Sequence, residues 1–152
     1  MRKIVLSTVA LTSLVAVAAC SENSDEPKAD TGPVAVDSVE PAVELTFADL
    51  TGDAAAGEAV FVQCRACHSV EEGRNGVGPS LYGIIGAKAG AVDAFNYTDA
   101  NANSGIIWTS EVIFEFLESP REYLPGTRMA YPGLRDAQAR ADLIAFLEAT
   151  GQ

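Results

Sequence analysis

Cys64, Cys67 and His68 stand in the order C-x-x-C-H, within Cys64-Arg65-Ala66-Cys67-His68. Two thiols three positions apart share one helical turn, where each can add across a vinyl group of a porphyrin. The histidine directly after the second thiol is then placed to bind the iron from one face, so the pattern is a haem c attachment signal. A redox dithiol of the thioredoxin kind needs a βαβ pattern, and no alternating strand pattern is present. A zinc site needs about four ligands, whereas the chain has three cysteines and one histidine in all. Its third cysteine, Cys20, lies over forty residues from the motif.

An iron bound through His68 still needs a sixth ligand or an open face. With no second histidine in the chain, the choices are a methionine, a lysine, water or nothing. Apart from the initiator there is one methionine, Met129, in Leu124-Pro125-Gly126-Thr127-Arg128-Met129. It follows a Pro-Gly turn in an irregular segment, where a side chain can be aimed across a pocket, and this points to Met129 as the second axial ligand. The same shortage of histidine leaves no second imidazole for acid–base chemistry. No serine–histidine–acid arrangement, phosphate-cradling glycine motif or internal repeat occurs, so no enzyme is expected.

The elements that must position these residues follow from periodicity. Asp53 to Cys67 is predicted as a first helix, with Gly57, Val60, Phe61 and Cys64 on one narrow apolar face. Gly57 lowers helix propensity there and implies close approach by another helix. Residues 73–90, glycine-rich and containing Pro79, read as an irregular loop, and Tyr97 to Asn103 as one short helix. Thr109 to Ser119 carries Val112, Ile113, Phe116 and Leu117 on one face and is ended by Pro120. Asp136 to Thr150 is the clearest helix, with Asp136 as N-cap, Leu143, Ile144 and Leu147 in a stripe, Phe146 beside it, and Gly151 just beyond. The fold class is all-α.

The first residues describe an export signal. Arg2 and Lys3 precede an uncharged apolar run, Ile4 to Ala19, shorter than the ~20 residues of a membrane span. Val17-Ala18-Ala19-Cys20 resembles a bacterial lipobox, in which Cys20 is acylated and becomes the mature N-terminus. Ordinary signal-peptidase cleavage also fits these small residues, but lipidation accounts for a thiol otherwise left exposed in an oxidising compartment. Residues 20–46 then form a disordered acidic tether, in which Glu22, Asp25, Glu26, Asp30, Asp37, Glu40 and Glu44 face only Lys28, with three prolines interspersed. Such a tether reaches roughly 90 Å when stretched and spans about 30 Å as a coil. Residues 47–152 make one domain, small for a self-sufficient core. Net charge is −11, and loss of Arg2 and Lys3 with residues 1–19 takes it to −13. Nucleic acid and anionic membrane surfaces are therefore poor partners.

From Gly52 to Thr150 the chain resembles class I cytochrome c, in particular its mitochondrial-type and α-proteobacterial members. Besides the pentapeptide, the matching residues are Gly52-Asp53, Gly57 and Phe61, Gly78-Pro79-x-Leu81-x-Gly83, Tyr97-Thr98-Asp99-Ala100-Asn101, Gly105-Ile106-x-Trp108, Tyr123-x-Pro125-Gly126-Thr127-x-Met129 and Asp142 to Leu147. The resemblance implies three to five helices around one haem c held through Cys64 and Cys67. The first and last helices would cross, with Gly57 against Leu143 and Phe146. It implies His68 and Met129 as axial ligands, the Pro79 carbonyl as the group that holds the imidazole, and Thr127 closing the methionine side. Tyr97, Asn101 and Trp108 would surround a buried haem propionate. Three positions depart from the family: Ala87 replaces an arginine, Phe116 a tyrosine and Tyr131 a phenylalanine. The family's lysine ring is also missing; Lys88 is the domain's one lysine, and Arg65, Arg74, Arg121 and Arg128 are diluted by Glu71, Glu72 and Glu122.

The function this implies is one-electron transport by a monomer on the periplasmic side of a bacterial membrane, held there by the Cys20 lipid. A cytochrome bc complex would be the donor, and a terminal oxidase or photosynthetic reaction centre the acceptor. The alternatives are a peroxidase-like haem enzyme or ligand sensor with a labile distal position, and a fixed electron-entry subunit of an oxidase.

Overall fold

The computed structural model describes residues 44–151. The signal segment, Cys20 and nearly all of the tether lie outside the described residues.

The chain enters through Thr46, which brackets a single 3-10 turn, Phe47–Asp49: its N–H and hydroxyl both donate to the Asp49 carboxylate. The first helix, α1 (Ala54–Phe61), starts where Asp53 accepts from the N–H groups of Ala55 and Ala56. Regular α-helix was expected as far as Cys67 but ends at Phe61. Beyond it the backbone bonds alternate between three- and four-residue spacing: Cys64 N–H and Arg65 N–H both donate to the Phe61 carbonyl, at 2.8 and 3.2 Å. This tightening is common at helix C-termini, and the motif therefore sits on wound turns rather than on a straight helix.

A long irregular stretch follows, with one short helix, α2 (Asp99–Ala102), capped by the Thr98 hydroxyl. Next come α3 (Ser110–Glu118), capped by Thr109, and α4 (Pro120–Tyr123). Pro120 is not only the stop expected from the sequence but also a start. Ser119 breaks the helix at φ −150°, and Pro120 restarts it as a first-turn proline whose missing N–H costs nothing there. The last helix, α5 (Ala137–Thr150), begins at Asp136, whose carboxylate accepts from Ala139 N–H. Among the described residues there is no strand, only an isolated bridge between Lys88 and Ile107, and no helix is long and apolar enough to cross a membrane.

The crossing of α1 and α5 organises the domain. Phe61 and Phe146 meet with ring centroids 5.2 Å apart. Gly57 lies against the Asp142 backbone carbonyl and the Phe146 Cβ, so that a side chain would collide with both. The expected partner Leu143 is not what limits the space at Gly57: it turns into the core beside Ile144 and Leu147, and the peptide of Asp142 faces the glycine instead. The Asp142 carboxylate also accepts from Asp53 N–H at 2.8 Å, tying the start of α1 to α5. Phe61, Phe114, Phe116, Leu117, Leu143 and Ile144 form the centre of the core.

One buried charge went unforeseen. Arg140 on α5 is only 3% exposed. Its guanidinium donates to the Leu134 and Arg135 carbonyls (2.7 and 3.0 Å), stacks 4.2 Å over Phe114 and pairs with Glu118 at 3.4 Å. Desolvating an arginine is tolerable because the two carbonyls, the Glu118 carboxylate and the Phe114 ring all face its charge, although its Nε has no hydrogen-bond partner. The signal was present: Arg140, Ile144 and Leu147 fall at i, i+4 and i+7 on one stripe.

Candidate metal centre

The histidine side is built from short local bonds. Cys67 and His68 N–H groups both donate to the Cys64 carbonyl, at 3.1 and 2.9 Å, which winds the motif so that its side chains project from one turn. The Cys67 carbonyl in turn accepts from Gly78 N–H at 2.9 Å, bringing the Gly76–Pro79 loop back over the histidine. There Nδ1 of His68 lies 2.7 Å from the Pro79 carbonyl oxygen. A carbonyl only accepts, so Nδ1 carries the proton and Nε2 keeps its lone pair. Burial holds the imidazole pKa below its ordinary value, and the bond to Pro79 offsets this only in part. The ring is therefore neutral near pH 7, the form that binds a metal. Gly78 lies flat under it; a Cβ there would stand 2.7 Å from both ring nitrogens.

Two residues that the sequence reading did not single out frame this loop. Asn75 accepts from Ser80 N–H at 2.9 Å and donates to the Asp93 carbonyl at 3.0 Å. Ser80, 3% exposed, donates to the Glu71 carbonyl at 2.7 Å. Polar residues in a glycine-rich segment usually mean solvent exposure, and nothing in the local pattern marks these two as struts.

Cys64 and Cys67 are free thiols, the first half-buried and the second exposed. Burial, with a smaller contribution from Cys67, pushes the Cys64 thiol up to about 11. Cys67 and His68 line an open cleft of about 560 Å³ with Phe61, Arg65 and Val70. Met129 does not line it. Met129 is half-buried and packs on the core, as do Cys64, Leu81, Ile84, Ile106 and Tyr123.

On the methionine side, Pro125-Gly126 makes the turn, with Gly126 at φ 92° and Thr127 N–H donating to the Leu124 carbonyl at 3.1 Å. The Thr127 hydroxyl accepts from Met129 N–H at 3.2 Å. Arg128 reaches across to the Asn96 carbonyl.

Of the residues expected around a propionate, Trp108 is buried, its ring edge-on to Phe116 at 4.9 Å. Burial raises the Tyr97 phenol pKa, partly offset by a hydrogen bond with the Val92 backbone. Asn101 has a buried side-chain oxygen with no hydrogen-bond partner. A buried amide end left unpaired is costly, and a polar group of a bound cofactor would complete it, the two ends of the amide being interchangeable by a flip. With the paired thiols and an imidazole held in the metal-binding tautomer, the residues present fit a haem c. A bare metal ion is a poorer fit: among the described residues no cluster of three histidine, cysteine or carboxylate side chains could hold one.

Comparison with known proteins agrees with this reading. The family model described as "Cytochrome c" matches residues 54–151. Cytochrome c2 of Rhodopila globiformis is 49% identical over 98 residues, covering 64% of this chain and 92% of that protein. Cytochrome c of Arabidopsis thaliana is 46% identical over 108 residues, 70% of this chain and 96% of that protein. Among solved structures, cytochrome cH from Methylobacterium extorquens superposes with a TM-score of 0.62 at 44% identity, covering 64% of this chain and 99% of that one.

Proposed function

Because the chain belongs to the cytochrome c family and carries one haem c through Cys64 and Cys67, we propose that it is a membrane-tethered periplasmic electron carrier with His68 and Met129 as axial ligands. The observation that carries this reading is the His68–Pro79 bond, which leaves Nε2 free to bind a metal in the same pentapeptide as the two attachment thiols. Bound there, haem c supplies a reversible one-electron Fe(III)/Fe(II) couple. The chain's own task is to keep the iron's surroundings the same in both states. Pro79 fixes the imidazole plane, Gly78 lets it sit close to the backbone, and Thr127 braces the peptide of Met129. Leu81, Ile84, Phe116 and Leu117 belong to the apolar core or pack on it; turned toward the haem they would exclude water, which with methionine–histidine ligation would favour a raised reduction potential. Tyr97, Asn101 and Trp108 would accompany the buried propionate. No residue is required to move a proton, consistent with a carrier rather than an enzyme.

A redox-titrated visible spectrum beside Met129→Ala tests the ligation. The oxidised parent should show the weak far-red methionine–iron charge-transfer absorption, and the variant should lose it along with much of the potential. Its absence from the parent would favour a labile distal position instead.

A lipidated Cys20 and the acidic segment would confine the domain near one membrane, raising its effective concentration at a cytochrome bc complex as donor and a terminal oxidase or reaction centre as acceptor. The surface supports tethering over long-range steering: Arg65 is paired with Glu58 and Arg74 with Glu71, all well exposed. Turnover with a membrane oxidase should thus depend weakly on salt and strongly on the anchor; the opposite pattern would overturn this.

A further inference from the structure

Tyr131, two residues beyond Met129, donates its phenolic hydrogen to the side-chain oxygen of Gln63 at 2.8 Å. Gln63 directly precedes Cys64. The other anchors of the Leu124–Arg135 segment lead elsewhere. Arg128 grips Asn96, Leu134 N–H donates to the Leu117 carbonyl of α3, and Arg140 of α5 holds the Leu134 and Arg135 carbonyls. Among the described hydrogen bonds, Tyr131–Gln63 is the one that joins the segment carrying Met129 to the segment carrying Cys64 and His68. It closes a separation of 68 residues, and it exists because Tyr131 stands where the family's phenylalanine is expected.

We infer that Tyr131 is a positioning residue that clasps the methionine loop to the attachment segment through Gln63, and so slows exchange of the axial methionine for outside ligands. The inference rests on the proposed ligation by Met129. An outside ligand binds only when the loop is open, and its apparent affinity scales with the open fraction. Removing the clasp enlarges that fraction without altering the ring packing or the iron's histidine side.

The test uses the haem-loaded protein in its ferric form and titrates imidazole against the far-red absorption. Tyr131→Phe and Gln63→Leu should each tighten apparent imidazole binding by about threefold to tenfold, the range of one lost hydrogen bond. The double variant should add no more than either single change, as expected for two partners of one bond. Gln63→Glu keeps an acceptor for the phenol and should restore the parent's affinity. Unchanged binding in both single variants, or fully additive effects in the double, would overturn the clasp while leaving Met129 ligation intact. A parent protein without the far-red absorption would instead overturn the ligation, and the clasp with it.

Discussion

The two sides of the proposed iron site are held in different ways. From Cys64 to Leu81 the chain is bonded to itself at nearly every step, by the Cys64 and Cys67 carbonyls, by Asn75 and Ser80, and by the Pro79 carbonyl on His68. From Leu124 to Gly133 the bonds are fewer, and apart from Leu124 N–H on the Pro120 carbonyl, the turn and the 3.2 Å contact at Thr127 they run to distant parts of the fold. The first region is rigid by local wiring. The second takes its position from whatever surrounds it. Ligand exchange should therefore begin at Met129 and not at His68.

The sharpest way to break this contrast is to damage the rigid side. Gly78→Ala places a methyl group against the His68 ring, and overpacking of this kind costs ~1–3 kcal/mol. The expected outcome is a drop in thermal midpoint together with a disturbed ferrous spectrum, read on purified holoprotein. Asn75→Ala is milder: it strips partners from Ser80 N–H and the Asp93 carbonyl, and should cost about 1–2 kcal/mol in denaturant unfolding. On the loose side, Thr127→Val should cost only about 0.5 kcal/mol in unfolding, yet weaken the far-red absorption more than Asn75→Ala does. Equal effects of these two substitutions on that absorption would erase the distinction.

The smallest effect is expected where the two regions meet. The loop from Asp93 to Asn96 is gripped by Asn75 from one side and by Arg128 from the other, with Ala94 between them at φ 56°. A left-handed alanine is strained by ~1–2 kcal/mol, of which glycine's greater freedom when unfolded returns a part. Ala94→Gly should stabilise the domain by about 0.5 kcal/mol, visible as a small rise in thermal midpoint with an unchanged spectrum.

Much of the framework was legible because it depends on local rules. The three main helices follow from apolar spacing, the last also from its cap at Asp136, and the attachment motif is contiguous. What escaped was set by non-local packing. Gly57 announced a close neighbour, and Phe146 is one, but the nearest group is the backbone carbonyl of Asp142 in place of Leu143, which no side-chain pattern encodes. Asn75 and Ser80 act by bonding to main-chain groups, and the Tyr131–Gln63 pair joins residues that are adjacent only after folding. The tightening after Phe61 and the restart at Pro120 are adjustments at helix ends, where propensity says least.

The buried guanidinium of Arg140 has a mechanical consequence. It passes load from the last helix to the peptides of Leu134 and Arg135, the far footing of the methionine loop. A heat pulse, a pull on the chain or an ill-placed fusion that lifts α5 would slacken that footing, while the turns from Cys64 to Pro79 keep their own bracing.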